Sequence, residues 1–402
     1  MTVKDLAEKL RAKFSDLEEK DLEFIVENFF EILKKAIKKG INIELRNFGR
    51  FELSKAKPYF FVNPKNKQKY YLPSKVRVVF KIGKEFKDLL NTPFIAGLDL
   101  GTQTFRLILG KVKDGKVYFY KSYRENVRLG EGLQESGYIT NEAKERAIEA
   151  LNNFKKNLEQ YKVEEAYAIG TAVFRKAKNA KEVLKEIEER TSFKVKVLSP
   201  EEEGQMVVEG VLYGIRKLGL SLNNFLVVDV GGGSTEFVYF QQGKVIDVKS
   251  IEIGAVQLKE FFNLRYPLTK RIFQSLTHYV ADQLKGLPKE FFEKIIATGG
   301  TASLMGSLDL QLVKFEPEKI HGHVITAERL KKLILKLSDY PLSRIKNIKG
   351  MEEGREDIAL PGLIILAEVL NYFEKNKILI STYGILEASL LSLAKRYNSI
   401  IN

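Results

Sequence analysis

Residues 227 to 237, VVDVGGGSTEF, set three adjacent glycines between two carboxylates. Gly231, Gly232 and Gly233 leave backbone N–H groups unshielded, so a loop built from them can wrap an anionic oxygen closely. Ser234 adds a hydroxyl, and the flanking Asp229 and Glu236 are suited to hold a divalent cation against a phosphate. By itself the stretch fits a phosphate loop or an unliganded tight turn. Two related stretches favour the phosphate loop. FIAGLDLGTQTFRLILGKV, residues 94–112, carries Asp99, Gly101, Thr102 and Arg106, and IIATGGTASL, residues 295–304, carries Gly299, Gly300 and Thr301. The first two share an apolar run, Asp, any residue, Gly and a hydroxyl-rich turn, which points to duplicated phosphate-binding hairpins facing one another across a cleft.

Strands must hold these loops in place. The apolar run 225–228 reads as a buried strand ending at Asp229, with a second strand starting near Glu236. EEAYAIGTAVFRKAKNAKEVL, residues 164–184, reads as a strand, a turn at Thr171 and a helix carrying Arg175 and Asn179. KVKVLSPEEEGQMVVEGVLYGI, residues 194–215, reads as a strand followed by a helix that opens at Ser199-Pro200 with Glu201, Glu202 and Glu203 in its first turn. Acids there suit the helix dipole. The same three, just ahead of the glycine loop, also supply a candidate general base. Strands and helices alternate to a final helix at 385–397, which is expected to return to the first lobe.

The 402 residues are 44% hydrophobic and 29% charged, the composition of a folded, soluble protein with two or three domains. The longest apolar stretches are too short to span a bilayer, and the N-terminus reads as an amphipathic helix rather than a leader, so the expected location is the cytoplasm. Zero cysteines exclude disulfides, thiolate nucleophiles and zinc–thiolate sites. A net charge of +14 implies an anionic partner or substrate. Twelve Lys and Arg against three acids lie between Glu44 and Lys87, so a basic module precedes a more balanced body.

In residues 3–39, Leu6, Leu10, Phe14, Leu22, Ile25, Phe29, Leu33 and Ile37 recur at helical spacing, Ser15-Asp16 could cap the second helix, and Gly40 stops it. Alternating strands then flank a tip at Asn63-Pro64, and a short helix follows Gly83. With Asn47-Phe48-Gly49-Arg50-Phe51, Asn63-Pro64 and Phe80-Lys81-x-Gly83-Lys84, residues 1–91 resemble the HU/integration-host-factor family of DNA-binding proteins. The resemblance implies an intertwined dimer whose arms enter the minor groove, with Pro64 as a wedge and Arg50, Lys55, Lys57, Lys65, Lys67, Lys69 and Lys84 on DNA. The arm departs from the family: its usual Gly-Arg before Asn-Pro is Phe61-Val62, and lysines and aromatics replace its arginines. Weak, salt-sensitive, non-specific DNA binding is expected. The alternative is a dimerisation module whose aromatic arm packs on protein.

From 94 to 400 the ordered motifs DLGTQTFRL, GTAVFRKAKNA, SPEEEG, DVGGGSTE, ATGGT, Lys319-Ile320-His321-Gly322 and Arg355 resemble the exopolyphosphatase/guanosine pentaphosphate phosphohydrolase (Ppx/GppA) family. The fold implied is α/β: a two-lobed actin-like ATPase (ribonuclease H-like) fold preceded by a small α+β HU-like domain. Its parts would be 1–91, a first lobe of 94–222 plus about 385–402, and a second lobe of 223–384. The resemblance makes Glu203 the base, Asp229 and Glu236 ligands of Mg²⁺ or Mn²⁺ with Asp99 as a further ligand, and the amides of Gly101-Thr102, Gly231 to Ser234 and Gly299 to Thr301 the phosphate cradle. Arg106, Arg175 and Arg355 would clamp the anion, Thr171 would bind phosphate, and water would attack directly. His278, His321 and His323 are read as structural or substrate-edge residues, with metal binding by the last two as the alternative.

The expected activity is release of terminal phosphate from inorganic polyphosphate, with guanosine pentaphosphate as the competing substrate. Longer relatives carry helical domains beyond the second lobe, so a long polyphosphate channel is not expected here. A nucleoid-associated sensor of polyphosphate or alarmone without turnover, and a kinase of the same fold, are the alternatives from other classes. No membrane partner is expected; a homodimer is.

Overall fold

The computed structural model describes the chain apart from residues 1, 12, 13, 15, 114, 115 and 402, and gives residues 397–401 as backbone. It divides into two compact units, residues 1–92 and 93–402.

The first unit begins with α1 (Val3–Arg11) and α2 (Glu19–Lys38), which pack together through the buried Ala7, Leu22 and Val26. Glu18 is the N-cap of α2 and makes no side-chain cap bond; of the proposed Ser15-Asp16 cap, Ser15 lies outside the described residues. Strands β1 (Ile43–Leu45), β2 (Gly49–Ala56), β3 (Tyr59–Val62), β4 (Lys69–Leu72) and β5 (Lys75–Ile82) follow, then α3 (Lys84–Asn91). An antiparallel sheet of order β1-β2-β5 carries an arm formed by the separate β3–β4 hairpin. At the arm tip the Asn63 side chain accepts from the Lys65 amide, an Asx turn that fixes the reversal at Pro64.

The second unit is built on two sheets. The five-stranded one comprises β6 (Phe94–Leu100), β7 (Phe105–Lys113), β8 (Lys116–Glu125), β9 (Val163–Gly170) and β10 (Val195–Val197), in the order β10-β9-β6-β7-β8. The six-stranded one comprises β11 (Asn224–Val230), β12 (Thr235–Gln241), β13 (Lys244–Ile251), β14 (Lys294–Thr298), β15 (Val324–Thr326) and β16 (Lys377–Ile380), in the order β13-β12-β11-β14-β16-β15. Each opens with a three-stranded antiparallel meander whose first strand then gains a parallel neighbour: β9 beside β6, β14 beside β11. β6 and β11 are buried almost throughout because both faces are covered, which is why they read as continuous apolar runs.

Helices close the faces. The helix Pro200–Lys217 starts with a capping box, Ser199 accepting from the Glu202 amide and Glu202 from the Ser199 amide. Its Val207, Val211 and Ile215 pack on Phe225, Val227 and Val238 of the six-stranded sheet. Gly210 has no room for a side chain, because the backbone of Gly384 lies against it. The last helix, Ile385–Ile401, lays Leu386, Leu390 and Leu393 on Ile95 and Ile108 of the five-stranded sheet, so the chain's end returns to the strands that opened the unit. The segment read as one helix with Arg175 and Asn179 is two, Ala172–Lys176 and Ala180–Thr191. Asn179 sits at the break and satisfies both the amide and the carbonyl of Ile139.

Among the described residues no helix is long and apolar enough to cross a membrane.

Candidate active site

The two meander hairpins are built to one plan. Gly101 donates its amide to the Thr104 carbonyl, and Gly231 donates its own to the Ser234 carbonyl, so each turn closes in the same way. The register then sets Asp99 opposite Arg106 and Asp229 opposite Glu236. Opposed residues on adjacent strands are near neighbours. The first hairpin therefore pairs a carboxylate with a guanidinium, Arg106 donating to Asp99 Oδ2 from Nε at 3.0 Å and from Nη2 at 2.5 Å. The second sets two carboxylates across from each other.

Both hairpins line one cleft, together with Thr171, Glu203, Gly300, Thr301 and Arg355. Gly299 does not line it but sits behind Asp229. Its φ of +78° and its lack of a Cβ let the backbone pass directly against the Asp229 carboxylate. Arg355 lies with its guanidinium against Gly300. Arg175 lines an adjoining cavity that shares Gly232 and Gly233 with the cleft, rather than the cleft itself.

Peptide planarity shows what the glycine loop offers. The carbonyls of Gly231 and Gly232 accept from the amides of Ala255, Val256 and Gln257 at the start of the helix Ala255–Phe261, and the Gly233 carbonyl accepts from Lys176 Nζ at 2.7 Å. The amides that follow, on Gly232, Gly233 and Ser234, are turned the opposite way and meet no acceptor among the described residues. The amides of Gly300 and Thr301 occupy the first turn of the helix Gly299–Asp309, where N–H groups have no intrahelical partner. This corrects the expectation for two residues. Gly101 and Gly231 spend their amides inside the turns, so the donors available to an anion come from the residues after them.

Glu203 is buried in the first turn of its helix, and its Oε2 accepts from Arg175 Nη1 at 2.6 Å. The same nitrogen donates to the Leu198 carbonyl, and Arg175 Nη2 lies 3.9 Å from Glu236 Oε1. Burial lifts Glu203 well above the usual carboxylate range; Glu236 adds to the effect and Arg175 opposes it. Asp229 is pushed up to about 7, first by burial and then by Glu236. Burial also raises Glu236, whose Oε1 accepts from Ser234 Oγ at 2.6 Å and Ser250 Oγ at 3.1 Å. Arg355 is brought down to about 10 by burial, and its Nε, 3.2 Å from Glu352, makes no hydrogen bond among the described residues.

Of the three proposed metal ligands, one is already ion-paired. Asp99 is taken by Arg106, and among the described residues no three carboxylate or imidazole side chains come together as a ligand group. The two histidines of the alternative metal pair have protein partners of their own. His321 is held between the Gly214 carbonyl and the Thr382 amide, and His323 sits on Asp309, so each ring is engaged elsewhere. Arg106 and Arg175, expected to clamp the anion, are each already bonded to a carboxylate, Asp99 and Glu203 respectively.

Several site residues escaped the sequence reading. Lys176 fixes the glycine loop. Glu352 joins Arg355 to Arg124. Glu387, half-buried and raised by desolvation, accepts from the Gly384 amide and bears on Arg106. Thr104 lines the cleft with a buried hydroxyl that has no protein partner among the described residues. A lysine directly after Arg175 was the one usable signal.

The proposed DNA-binding residues all fall in the first unit. Lys55 is on β2, Lys57 follows it, Pro64, Lys65 and Lys67 form the arm tip, Lys69 is on β4 and Lys84 opens α3. Arg50 is ion-paired with Glu52, which also meets Lys81 at 2.6 Å.

Residues 1–91 match the model of the bacterial DNA-binding protein family, and residues 108–397 that of the Ppx/GppA phosphatase family. Among curated proteins, a Fusobacterium nucleatum bifunctional 3-dehydroquinate synthase/phosphatase is 30% identical over 71% of this chain and 44% of its own. An Aliivibrio fischeri guanosine-5'-triphosphate,3'-diphosphate pyrophosphatase is 26% identical over 69% of this chain and 54% of its own. The chain thus spans about half the length of these relatives. The crystal structure of the Aquifex aeolicus Ppx/GppA family member superposes with a TM-score of 0.65 at 30% identity, covering 76% of this chain and 99% of that one. With the family model matched across most of the second unit, the chain belongs to the Ppx/GppA phosphatase family.

Proposed function

We propose that the second unit hydrolyses the terminal phosphoanhydride bond of inorganic polyphosphate, with guanosine pentaphosphate as the alternative substrate. The observation that carries this reading is the meeting, in one cleft, of a buried carboxylate of raised pKa, Glu203, with free loop amides at Gly232 to Ser234 and Gly300 to Thr301. Thr102, Thr171 and Arg355 complete the anion's surroundings. A Haemophilus influenzae relative, 25% identical over 76% of this chain and 93% of its own, is named provisionally an exopolyphosphatase. The Aliivibrio relative's name keeps the nucleotide in play.

Asp229 and Glu236 fit a hard divalent cation. They are opposed carboxylates, and among the described residues no side chain donates a hydrogen bond to Asp229 or pairs with it, in contrast to Asp99 in the sister hairpin. Two carboxylates plus waters and substrate oxygens are the usual setting for Mg²⁺, and Mn²⁺ shares that preference for oxygen donors. When bound, such an ion neutralises charge on the phosphoryl oxygens.

The chain's own groups do the rest. Glu203 takes a proton from water as the water oxygen bonds to the terminal phosphorus, the anhydride P–O bond breaks, and the electron pair leaves with the shortened chain. A carboxylate whose pKa is raised is a better base for this than an ordinary one. Arg175 holds its orientation, and the amides and Arg355 hold the three outer oxygens.

For the first unit, the reading is non-specific DNA binding through the basic arm and a homodimer. Ile25, Phe29 and Ile32 form an exposed apolar stripe on α2, which suits a second copy of the unit. Such a protein would work in the cytoplasm in association with the nucleoid.

The test is phosphate release from medium-chain polyphosphate and from guanosine pentaphosphate at matched concentration, with and without a chelator. Release from polyphosphate that stops on chelation and returns with Mg²⁺ supports the first reading, and preference for the nucleotide the second. Tight binding of either without release would point to a sensor.

A further inference from the structure

We propose that the β3–β4 arm is a stacking platform for the bases of single-stranded DNA, rather than a probe for the duplex minor groove. This rests on the reading that residues 1–91 bind nucleic acid, and it names the form they take.

The register pairs Tyr59 with Leu72, Phe60 with Tyr71, Phe61 with Tyr70 and Val62 with Lys69. Side chains alternate between the faces of a strand. Phe60, Tyr71, Val62 and Lys69 therefore share one face, and Tyr59, Phe61 and Tyr70 share the other. The contacts agree: the Phe60 and Tyr71 rings are 5.4 Å apart, and Lys69 Nζ lies 4.9 Å above the Phe60 ring. Among the described residues no third strand joins the ribbon. Tyr59 is 56% exposed, and Phe60 and Tyr71 are each 59% exposed. Rings on both faces of an uncovered two-stranded ribbon leave apolar area in water that an occupant would remove.

The charge says what the occupant is. Between Glu52 and Glu85 the chain has nine Lys and Arg and no acid, and the stretch from 51 to 76, which holds the arm, contains no arginine. An acidic or phosphate-bearing partner fits, whereas a second copy of the same arm would bring lysine against lysine. Duplex edges are read by planar guanidinium forks, which the arm lacks. Exposed rings interleaved with lysines are instead what unpaired bases and a flexible phosphate backbone require, since every base has a face to stack and every linkage a charge. DNA rather than RNA follows from the match of residues 1–91 to a DNA-binding family model.

The experiment is fluorescence anisotropy of the full chain with labelled oligothymidylate, the matching oligouridylate and a random-sequence duplex. The variants are Phe60→Ala with Tyr71→Ala, and the aromatic-retaining Phe60→Tyr with Tyr71→Phe. Unchanged phosphate release reports that the body is intact, and circular dichroism that the first unit is folded. The expected result is oligothymidylate binding weakened at least about 10-fold by the double alanine, kept by the aromatic pair, and duplex binding changed less than about 2-fold. Equal loss on strand and duplex would overturn the platform in favour of groove binding. No loss on either would show that the rings pack on protein. Tighter binding of oligouridylate than oligothymidylate would overturn DNA as the partner. Failure of the unmodified chain to bind any of the three would sink the nucleic-acid reading itself, a result distinct from the others.

Discussion

Arg175 stands between two carboxylates, its Nη1 2.6 Å from Glu203 Oε2 and its Nη2 3.9 Å from Glu236 Oε1. One guanidinium thus ties the proposed base on the helix Pro200–Lys217 to the proposed cation ligand on β12. Its positive charge favours the ionised form of Glu203, against burial and the repulsion of Glu236.

Replacing Arg175 with Gln removes that opposition. Glu203 then holds its proton to still higher pH, so the acidic limb of the pH–rate profile moves upward, and phosphate release below that limb falls further than at high pH. A profile measured on polyphosphate checks this. A uniform loss at every pH would place Arg175 on the substrate alone.

Asp229 makes a separate prediction about stability. Its pKa rises from 3.8 to about 7 on folding, so between those values the native state holds more protons than the unfolded one. Stability contributed by this group therefore falls as pH rises through that window. In chelator, Asp229→Asn should raise Tm relative to the unmodified protein more at about pH 7 than at about pH 4. Parallel melting curves across the range would contradict it.

Gly299 tests the packing behind that carboxylate. Alanine there meets a left-handed φ of +78° and runs into Asp229. The conformation alone costs about 1–2 kcal/mol, and displacement of the carboxylate adds to it. Gly299→Ala should lower Tm and raise the divalent-cation concentration needed for half-maximal release, both measurable in one titration series.

What could be read from the sequence follows from range. Asp229 facing Glu236, and Asp99 with Arg106 on the sister hairpin, are short-range consequences of a tight turn and a two-residue strand period. The hairpins, the Ser199-Pro200 helix start and the return of the last helix were legible for the same reason, or through ordered motifs. Neither period nor motif says that Asp99 is consumed by Arg106, or that Gly101 and Gly231 close their turns with the amides expected to bind phosphate. Both depend on side-chain and turn geometry after folding. Glu203 meeting Arg175, Glu352 joining Arg124 to Arg355, and Lys176 reaching Gly233 depend on how separate elements pack, and no local pattern carries that. Asn179 was misplaced because its helix breaks where its side chain ties down Ile139.

If Glu203 moves the proton, its loss must slow release without weakening binding. Glu203→Gln keeps the shape and the capacity to accept from Arg175 while removing the base. Single-turnover phosphate release and polyphosphate affinity should be measured together on this variant, with Mg²⁺ present. The predicted result is a fall of about 10²–10⁴-fold in release with affinity held within about 3-fold. Full release by the Gln variant would contradict the account, and so would a loss explained wholly by weaker binding.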